Sequence, residues 1–101
     1  THEQMVEIVW TEPALQSLDE IADYISLDNL KAAQALVEKV FDRVELLKNQ
    51  PELGKQIPEL ETSIYREIMV IPCRIFYRLE KNCLYVVDIQ RQEQQFRNPF
   101  F

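Results

Sequence analysis

Ile64-Tyr65-Arg66-Glu67-Ile68-Met69-Val70-Ile71-Pro72-Cys73-Arg74-Ile75-Phe76-Tyr77-Arg78-Leu79-Glu80-Lys81-Asn82-Cys83-Leu84-Tyr85-Val86-Val87-Asp88-Ile89 is rich in β-branched and aromatic residues. It is interrupted at Pro72 and at the polar pair Lys81-Asn82, which divide it into strands over 64–71, 73–79 and 83–89. If Lys81 and Asn82 are the two turn residues of the second hairpin, Cys73 faces Gln90 and Cys83 faces Glu80. The two thiols then lie at opposite ends of the hairpin, beyond the roughly 7 Å Cα separation that a disulfide tolerates. They are expected to be free, inert and partly buried.

Upstream of these strands the hydrophobic period changes. Val6-Glu7-Ile8-Val9-Trp10 alternates like a short strand. Thr11-Glu12-Pro13 then offers a capping hydroxyl and a first-turn proline, and Ala14, Leu18, Ile21, Ala22 and Ile25 recur at helical spacing. The spacing predicts a stop near Leu27. Asp28 or Asn29 caps a second helix carrying Ala33, Leu36, Val37, Val40, Phe41, Val44 and Leu47. Gln50-Pro51-Glu52-Leu53-Gly54 ends that helix, since proline cannot continue the ladder and glycine accepts the turn. Residues 55–63, with Pro58 and no clear period, are expected to be a loop. The expected fold class is α+β: an N-terminal strand, an antiparallel helical hairpin, then three antiparallel strands forming a small sheet beneath it. Leu18, Ile21, Ile25, Val37, Phe41 and Val44 are the expected core of the hairpin.

A chain of 101 residues and 12.0 kDa fits one domain. Residues 5–96 are assigned to it and 97–101 to a C-terminal tail. Thr1-His2-Glu3-Gln4, ahead of Met5, is set aside as an expression remnant or loose end. One glycine, Gly54, excludes glycine-rich phosphate cradles, and one histidine, His2, excludes histidine-based triads and metal motifs. No cofactor or metal is expected. The formal charge is −6, a poor electrostatic footprint for gripping nucleic acid. The charge is unevenly spread: 13 acids and 5 bases through Thr62 give −8, whereas 4 acids and 6 bases from Ser63 give +2. That asymmetry admits two readings, solvated helix faces beside an ordinary sheet, or a functional surface on the basic half. No run reaches membrane-spanning length, no secretory signal is visible, and two cysteines suit a reducing cytoplasm.

Several stretches occur together in order: Trp10-Thr11-Glu12-Pro13-Ala14, the stripe Leu18-x-x-Ile21-x-x-Tyr24-Ile25, and Leu47-x-x-x-Pro51-x-x-Gly54. Tyr65-Arg66-Glu67, Arg74-Ile75-Phe76-Tyr77-Arg78 and Tyr85-Val86-Val87-Asp88-Ile89-x-Arg91 follow. From Met5 to about Phe96 this combination resembles the ParE/RelE superfamily of bacterial toxins from type II toxin–antitoxin systems. RelE-like members are associated with cutting messenger RNA on the ribosome and ParE-like members with poisoning DNA gyrase. For the ribonuclease branch, the resemblance would make Arg74 and Arg91 the catalytic pair, because a developing phosphorane needs cations and a proton-transfer group. No tyrosine follows Tyr85, and Phe96 stands where that proton-transfer group would be. The Trp-Thr start, the Pro-x-x-Gly turn and the Arg-Glu strand fit the ParE branch better.

The resemblance therefore implies a cytoplasmic, non-enzymatic gyrase inhibitor, restraining growth in plasmid or chromosomal maintenance. It would be silenced by an antitoxin whose disordered segment orders on binding, as a helix across the hairpin or a strand beside the sheet. Direct nucleic-acid or membrane binding is not expected. A non-toxic binding module of the same fold is a further alternative. Asp88, Arg91, Phe96, Arg97, Phe100 and Phe101 are the expected target-binding residues, and Arg66, Arg74 and Arg78 the expected basic sheet face. The three phenylalanines of the tail either anchor a partner or fold back over the sheet.

Overall fold

The computed structural model of the chain describes residues 5–60 and 63–100. In chain order they form β1 (Glu7–Trp10), α1 (Glu12–Ser26), α2 (Leu30–Leu46), β2 (Lys55–Gln56), β3 (Tyr65–Val70), β4 (Cys73–Glu80) and β5 (Cys83–Arg91). Thr11 caps α1: its Oγ1 accepts from the Ala14 amide at 3.4 Å and donates to the Val86 carbonyl at 2.7 Å. The first helix is thereby tied to β5 as well as started. Asn29 caps α2 by accepting from the Ala32 amide at 3.0 Å. Of the two capping candidates, Asn29 is the one used.

The sheet order is β1-β5-β4-β3-β2, with β1 parallel to β5 and every other pair antiparallel. The helical hairpin covers one face. Leu18 and Ile21 of α1 and Leu36, Val40 and Val44 of α2 join Ile75, Tyr77, Leu84, Val86 and Ile89 of the sheet in a single core. Among the described residues, no helix is long and apolar enough to cross a membrane.

Four details differ from the sequence reading. Residues Lys55 and Gln56, expected in a loop, pair with Glu67 and Arg66 as a fifth, two-residue strand. The β4–β5 register shifts between Phe76 and Tyr77: Phe76 faces Asp88 while Tyr77 faces Val86, so Val87 is an extra residue, a β-bulge. Beyond it Cys73 faces Arg91 rather than Gln90, although Cys83 faces Glu80 as expected. Both cysteines are free. Burial is the main cause that pushes the Cys73 thiol up to about 11, with the Glu93 charge adding to it.

Phe41 is the third difference. It is 40% exposed and lies against Trp10, ring centroids 4.6 Å apart, instead of in the core. The buried stripe of α2 runs through Ala33, Leu36, Val40 and Val44, continuing to Leu47, and Phe41 sits one residue off that line. Ile25 and Val37 are half-buried at its margin.

The fourth concerns Gly54, whose role is close approach rather than an unusual turn. A Cβ there would lie 2.5 Å from the Tyr77 hydroxyl oxygen and 2.9 Å from the Glu67 carbonyl oxygen. The Gly54 amide donates to the Tyr77 hydroxyl at 2.8 Å, and that hydroxyl donates to the Pro51 carbonyl at 2.9 Å. A buried tyrosine thus holds the chain as it leaves α2.

Because Phe41 packs at a margin, Phe41→Ala should cost about 1–2 kcal/mol, short of the ~3–5 kcal/mol of a fully buried phenylalanine. Urea unfolding measures this directly, and a loss near the upper range would place Phe41 in the core.

Candidate functional site

Side chains alternate across β4, so Cys73, Ile75 and Tyr77 enter the core while Arg74 and Phe76 point to the sheet's second face. The chain beyond β5 folds back over that face. The Gln90 side chain donates through Nε2 to the Arg97 carbonyl at 2.7 Å and accepts from the Arg97 amide at 3.2 Å. This two-point clasp has the pattern of a paired strand residue. Phe96 meets Phe76 edge-on at 5.6 Å, and Phe100 stacks on Tyr65 at 3.7 Å. Of the two readings of the tail, the structure takes the one in which Phe96 and Phe100 cover the sheet. Phe101 lies outside the described residues, as does His2.

Arg74 is enclosed by this arrangement. Its Nε and Nη2 donate to the Glu67 carboxylate at 2.8 and 3.3 Å. Nη1 and Nη2 donate to Glu59 at 3.1 and 2.7 Å. The guanidinium carbon lies 5.1 Å from the Phe76 ring centre and 5.3 Å from that of Phe96. Glu67 is 2% exposed, so its charge is tolerated only because Arg74 neutralises it. The hydrogen bonds to Glu59 and Glu67 raise the Arg74 pKa further, and Arg74 in turn holds the Glu59 carboxyl below its ordinary value.

The expected basic sheet face is not an open cationic surface. Arg66 donates to the Gly54 carbonyl at 2.7 Å, Arg74 is bound by two carboxylates, and Arg78 pairs with Glu80 at 3.2 Å while lying over the Tyr85 ring. These arginines are held by carboxylates, a carbonyl and rings that the sheet and its loops supply.

Arg91 projects the other way. It pairs with Glu93 at 2.9 Å and lies 4.2 Å over the ring of Tyr24 in α1, on the helical side. Ser17, Glu20, Tyr24, Arg91, Gln94 and Arg97 line a polar depression of about 190 Å³ between α1 and the tail. Asp88 borders it, accepting from Ser17 Oγ at 2.7 Å and from Gln90 Nε2 at 3.1 Å. The structure therefore gathers Asp88, Arg91 and Arg97 at one end of the sheet. Phe96 and Phe100 lie next to them on the second face, and Arg74 stands apart from Arg91 across the sheet. Among the described residues, no group of three or more His, Cys, Asp or Glu side chains could hold a metal ion.

Sequence reasoning missed the Glu59–Arg74–Glu67 cluster, the Gln90 clasp and the Tyr24 platform. One signal was legible: Glu67 and Arg74 flank the Pro72 turn at a separation that sets them diagonally across a hairpin. Glu59 carried no such signal, because it comes from an aperiodic loop.

The Glu59 carboxyl is depressed in the folded state, so its stabilisation is present above about 4.5, its ordinary value, and is lost as pH falls through the folded value. Glu59→Gln should cost little at pH 7, under about 1 kcal/mol for so exposed a group. It should also flatten the fall in melting temperature on acidification below that point. An acid-melting profile identical to the parent would show that this pair has no role in it.

The family model of the ParE toxin of type II toxin–antitoxin systems, parDE, matches residues 8–96. Toxin RelE2 of Caulobacter vibrioides is 31% identical over 87 residues, covering 85% of this chain and 94% of that protein. Among solved structures, the chromosomal ParDE toxin–antitoxin system from P. aeruginosa aligns with a TM-score of 0.72 at 24% identity, over 87% of this chain and 97% of that one. The toxin–antitoxin complex RelBE2 from Mycobacterium tuberculosis aligns at 0.60 and 16%, over 92% and 98%. The structural likenesses show the same α+β fold. Spanning nearly the whole domain, the family match shows that this chain belongs to the ParE toxins of type II toxin–antitoxin systems, within the ParE/RelE superfamily.

Proposed function

We propose that this toxin acts by protein contact, inhibiting DNA gyrase in the cytoplasm, and that a cognate antitoxin neutralises it. One observation carries the choice over messenger RNA cleavage. Arg74 and Arg91, the only pair the ribonuclease reading offers, leave the sheet on opposite faces: Arg74 packs on Phe76 and Phe96, and Arg91 on Tyr24 of α1. Two cations so divided cannot close on one scissile phosphate. Arg74 is also held by two carboxylates, so an incoming phosphate would have to displace both.

The contact surface in this reading is the tail end of the sheet. Asp88, Arg91 and Arg97 provide its polar part, and Phe96, Phe100 and Phe101 its apolar part, with the two described rings also serving as a lid. The antitoxin assignment is supported by the family and by similar structures that are themselves toxin–antitoxin assemblies. A segment of the antitoxin that is disordered when free would order on this chain.

Purified toxin should inhibit gyrase supercoiling and leave ribosome-bound message intact. Site-specific cleavage of message on ribosomes, abolished by Arg74→Ala, would overturn the reading in favour of the enzyme. Arg97→Glu, which keeps the backbone clasp to Gln90, should weaken gyrase inhibition at least several-fold with little change in melting temperature.

The lid role has its own readout. A fully buried phenylalanine contributes about 1.5–3 kcal/mol, so deleting residues 96–101 should cost roughly 2–4 kcal/mol for the two half-buried rings. Calorimetry that found unchanged stability in this truncation would rule the lid out.

A further inference from the structure

Beyond β5 the chain turns back, and the Gln94 amide donates to the Arg91 carbonyl at 3.1 Å. Past that turn, among the described residues, no backbone–backbone hydrogen bond holds the tail. Phe96 and Phe100 rest on the sheet through their rings. Asn98 only folds the tail on itself, its Oδ1 accepting from the Phe100 amide at 2.9 Å. Ring contacts keep a tail against a sheet, but the direction of a backbone is set by hydrogen bonds, which depend on angle. Here the bonds to the backbone come from one side chain, that of Gln90, and both meet it at Arg97.

Gln90 is 5% exposed, so it does not itself meet a partner. Its neighbours decide which way its amide faces. Asp88 Oδ2 accepts from Nε2 at 3.1 Å, and because an ionised carboxylate can only accept, the NH2 end must meet it. The second hydrogen of Nε2 then goes to the Arg97 carbonyl at 2.7 Å, which leaves Oε1 facing the Arg97 amide at 3.2 Å. The reversed amide would set Oε1 against two acceptors and the NH2 group against an N–H donor. Ser17 of α1 holds the carboxylate in turn, donating from Oγ to Oδ1 at 2.7 Å. Four hydrogen bonds thus run from Ser17 through Asp88 and Gln90 to Arg97, linking the first helix to the tail.

We propose that Gln90 is a positioning residue for target recognition: it fixes the backbone at Arg97 so that this exposed cation stands at the depression beside α1 before a partner arrives. That Arg97 touches the target rests on the functional reading above; the hydrogen bonds that hold it do not. The clasped residue separates two side chains with different destinations. Phe96 packs on Phe76, while Arg97 lines the depression with Tyr24 and Arg91. Turning the backbone over at this point would exchange them, carrying the cation towards the sheet and a ring into solvent. Holding Arg97 in its bound direction removes part of the ordering cost that association otherwise carries. Asp88, besides its own place on the surface, and Ser17 behind it act by keeping the Gln90 amide from reversing.

The test uses the full toxin. One readout is the cellular toxin level that arrests growth under induced expression; the other is hydrogen exchange at the Arg97 amide in purified, isotopically labelled protein. Gln90→Met, close in shape but without the amide, should speed exchange at Arg97 several-fold and leave the β4–β5 amides as they are. It should raise the arresting level by roughly three- to tenfold, the scale of ordering one long side chain on binding. In an Arg97→Ala background the same substitution should add nothing, whereas a residue that only stabilises the fold would add the same loss in both backgrounds. Ser17→Ala, at a half-exposed helical position, should move both readouts in the same direction by less, and it serves where Gln90→Met folds poorly. Unchanged exchange at Arg97, unchanged arrest with both variants, full arrest by Arg97→Ala, or equal losses in the two backgrounds would each overturn the inference. Growth arrest with gyrase left active would instead sink the gyrase reading and leave these comparisons standing, so the two failures are distinguishable.

Discussion

The extra residue in β5, Val87, governs where every side chain after it points. Side chains in a strand alternate with period two, so one inserted residue exchanges the faces of all that follow. Without the bulge, Ile89 would leave the core and Gln90 would enter it. With it, Ile89 is buried beside Ile75, Gln90 faces Arg74 and clasps the tail, and Arg91 turns to α1. The N-terminus of α1 lies at the same place: Thr11 bonds to the Val86 carbonyl through both its amide and its hydroxyl. Parallel pairing of β1 ends at Trp10 and Val86, and α1 crosses the remaining length of β5. The bulge marks the point where β5 exchanges a strand neighbour for a helix.

That single insertion also sets two arginines on opposite faces of the sheet. In the unbroken register, Arg91 would stand on the same face as Arg74, and the two could approach one phosphate. In the bulged register they are separated by the sheet. Each arginine then meets what its face provides: Arg74 finds Glu59, Glu67 and two phenylalanine rings, and Arg91 finds Tyr24 and Glu93. The cluster around Arg74 is better understood as a device for holding one arrangement than as a source of net stability. A buried ion pair repays its desolvation only with good geometry, but removing one partner leaves a stranded charge worth about 3–5 kcal/mol. Arg74 joins the 57–60 loop, β3 and the tail through Glu59, Glu67 and Phe96, so the second face of the sheet is fixed as a unit.

Much of the fold was legible because it rests on local signals. Thr11 and Pro13 announce α1, Asn29 caps α2, and Pro72 and Lys81-Asn82 separate the last three strands; Lys81 adopts the positive φ of 58° that such a turn needs. The bulge was not legible, since Val86 and Val87 are equally at home on either face and nothing in the residues marks which one is extra. Phe41 was misplaced for a related reason. Helical spacing gives a stripe about two residues wide, and only the position of Trp10, distant in sequence, shows that Phe41 lies at its border. The candidate site was legible in its residue types and not in its grouping. Arg74 and Arg91 stood out by charge, but their opposite orientation follows from the bulge, and the Glu59 contact follows from a loop with no periodic pattern.

The distribution of charge gives the two surfaces their separate characters. The halves at −8 and +2 do not correspond to an acidic face and a basic one, because most arginines of the strand half are held by carboxylates, carbonyls or rings. What remains cationic is local: Arg97 by the depression beside α1, and Arg43 and Lys55 between α2 and β3, form no ion pair among the described residues. On a chain of net charge −6, these cations are local and the overall charge weakens non-specific attraction to nucleic-acid phosphates. The sites differ in what lies beside the charge. Near Arg97 lie the rings of Phe96 and Phe100, packed on the sheet; beside Arg43 and Lys55 lie the exposed side chains of Leu46 and Leu53.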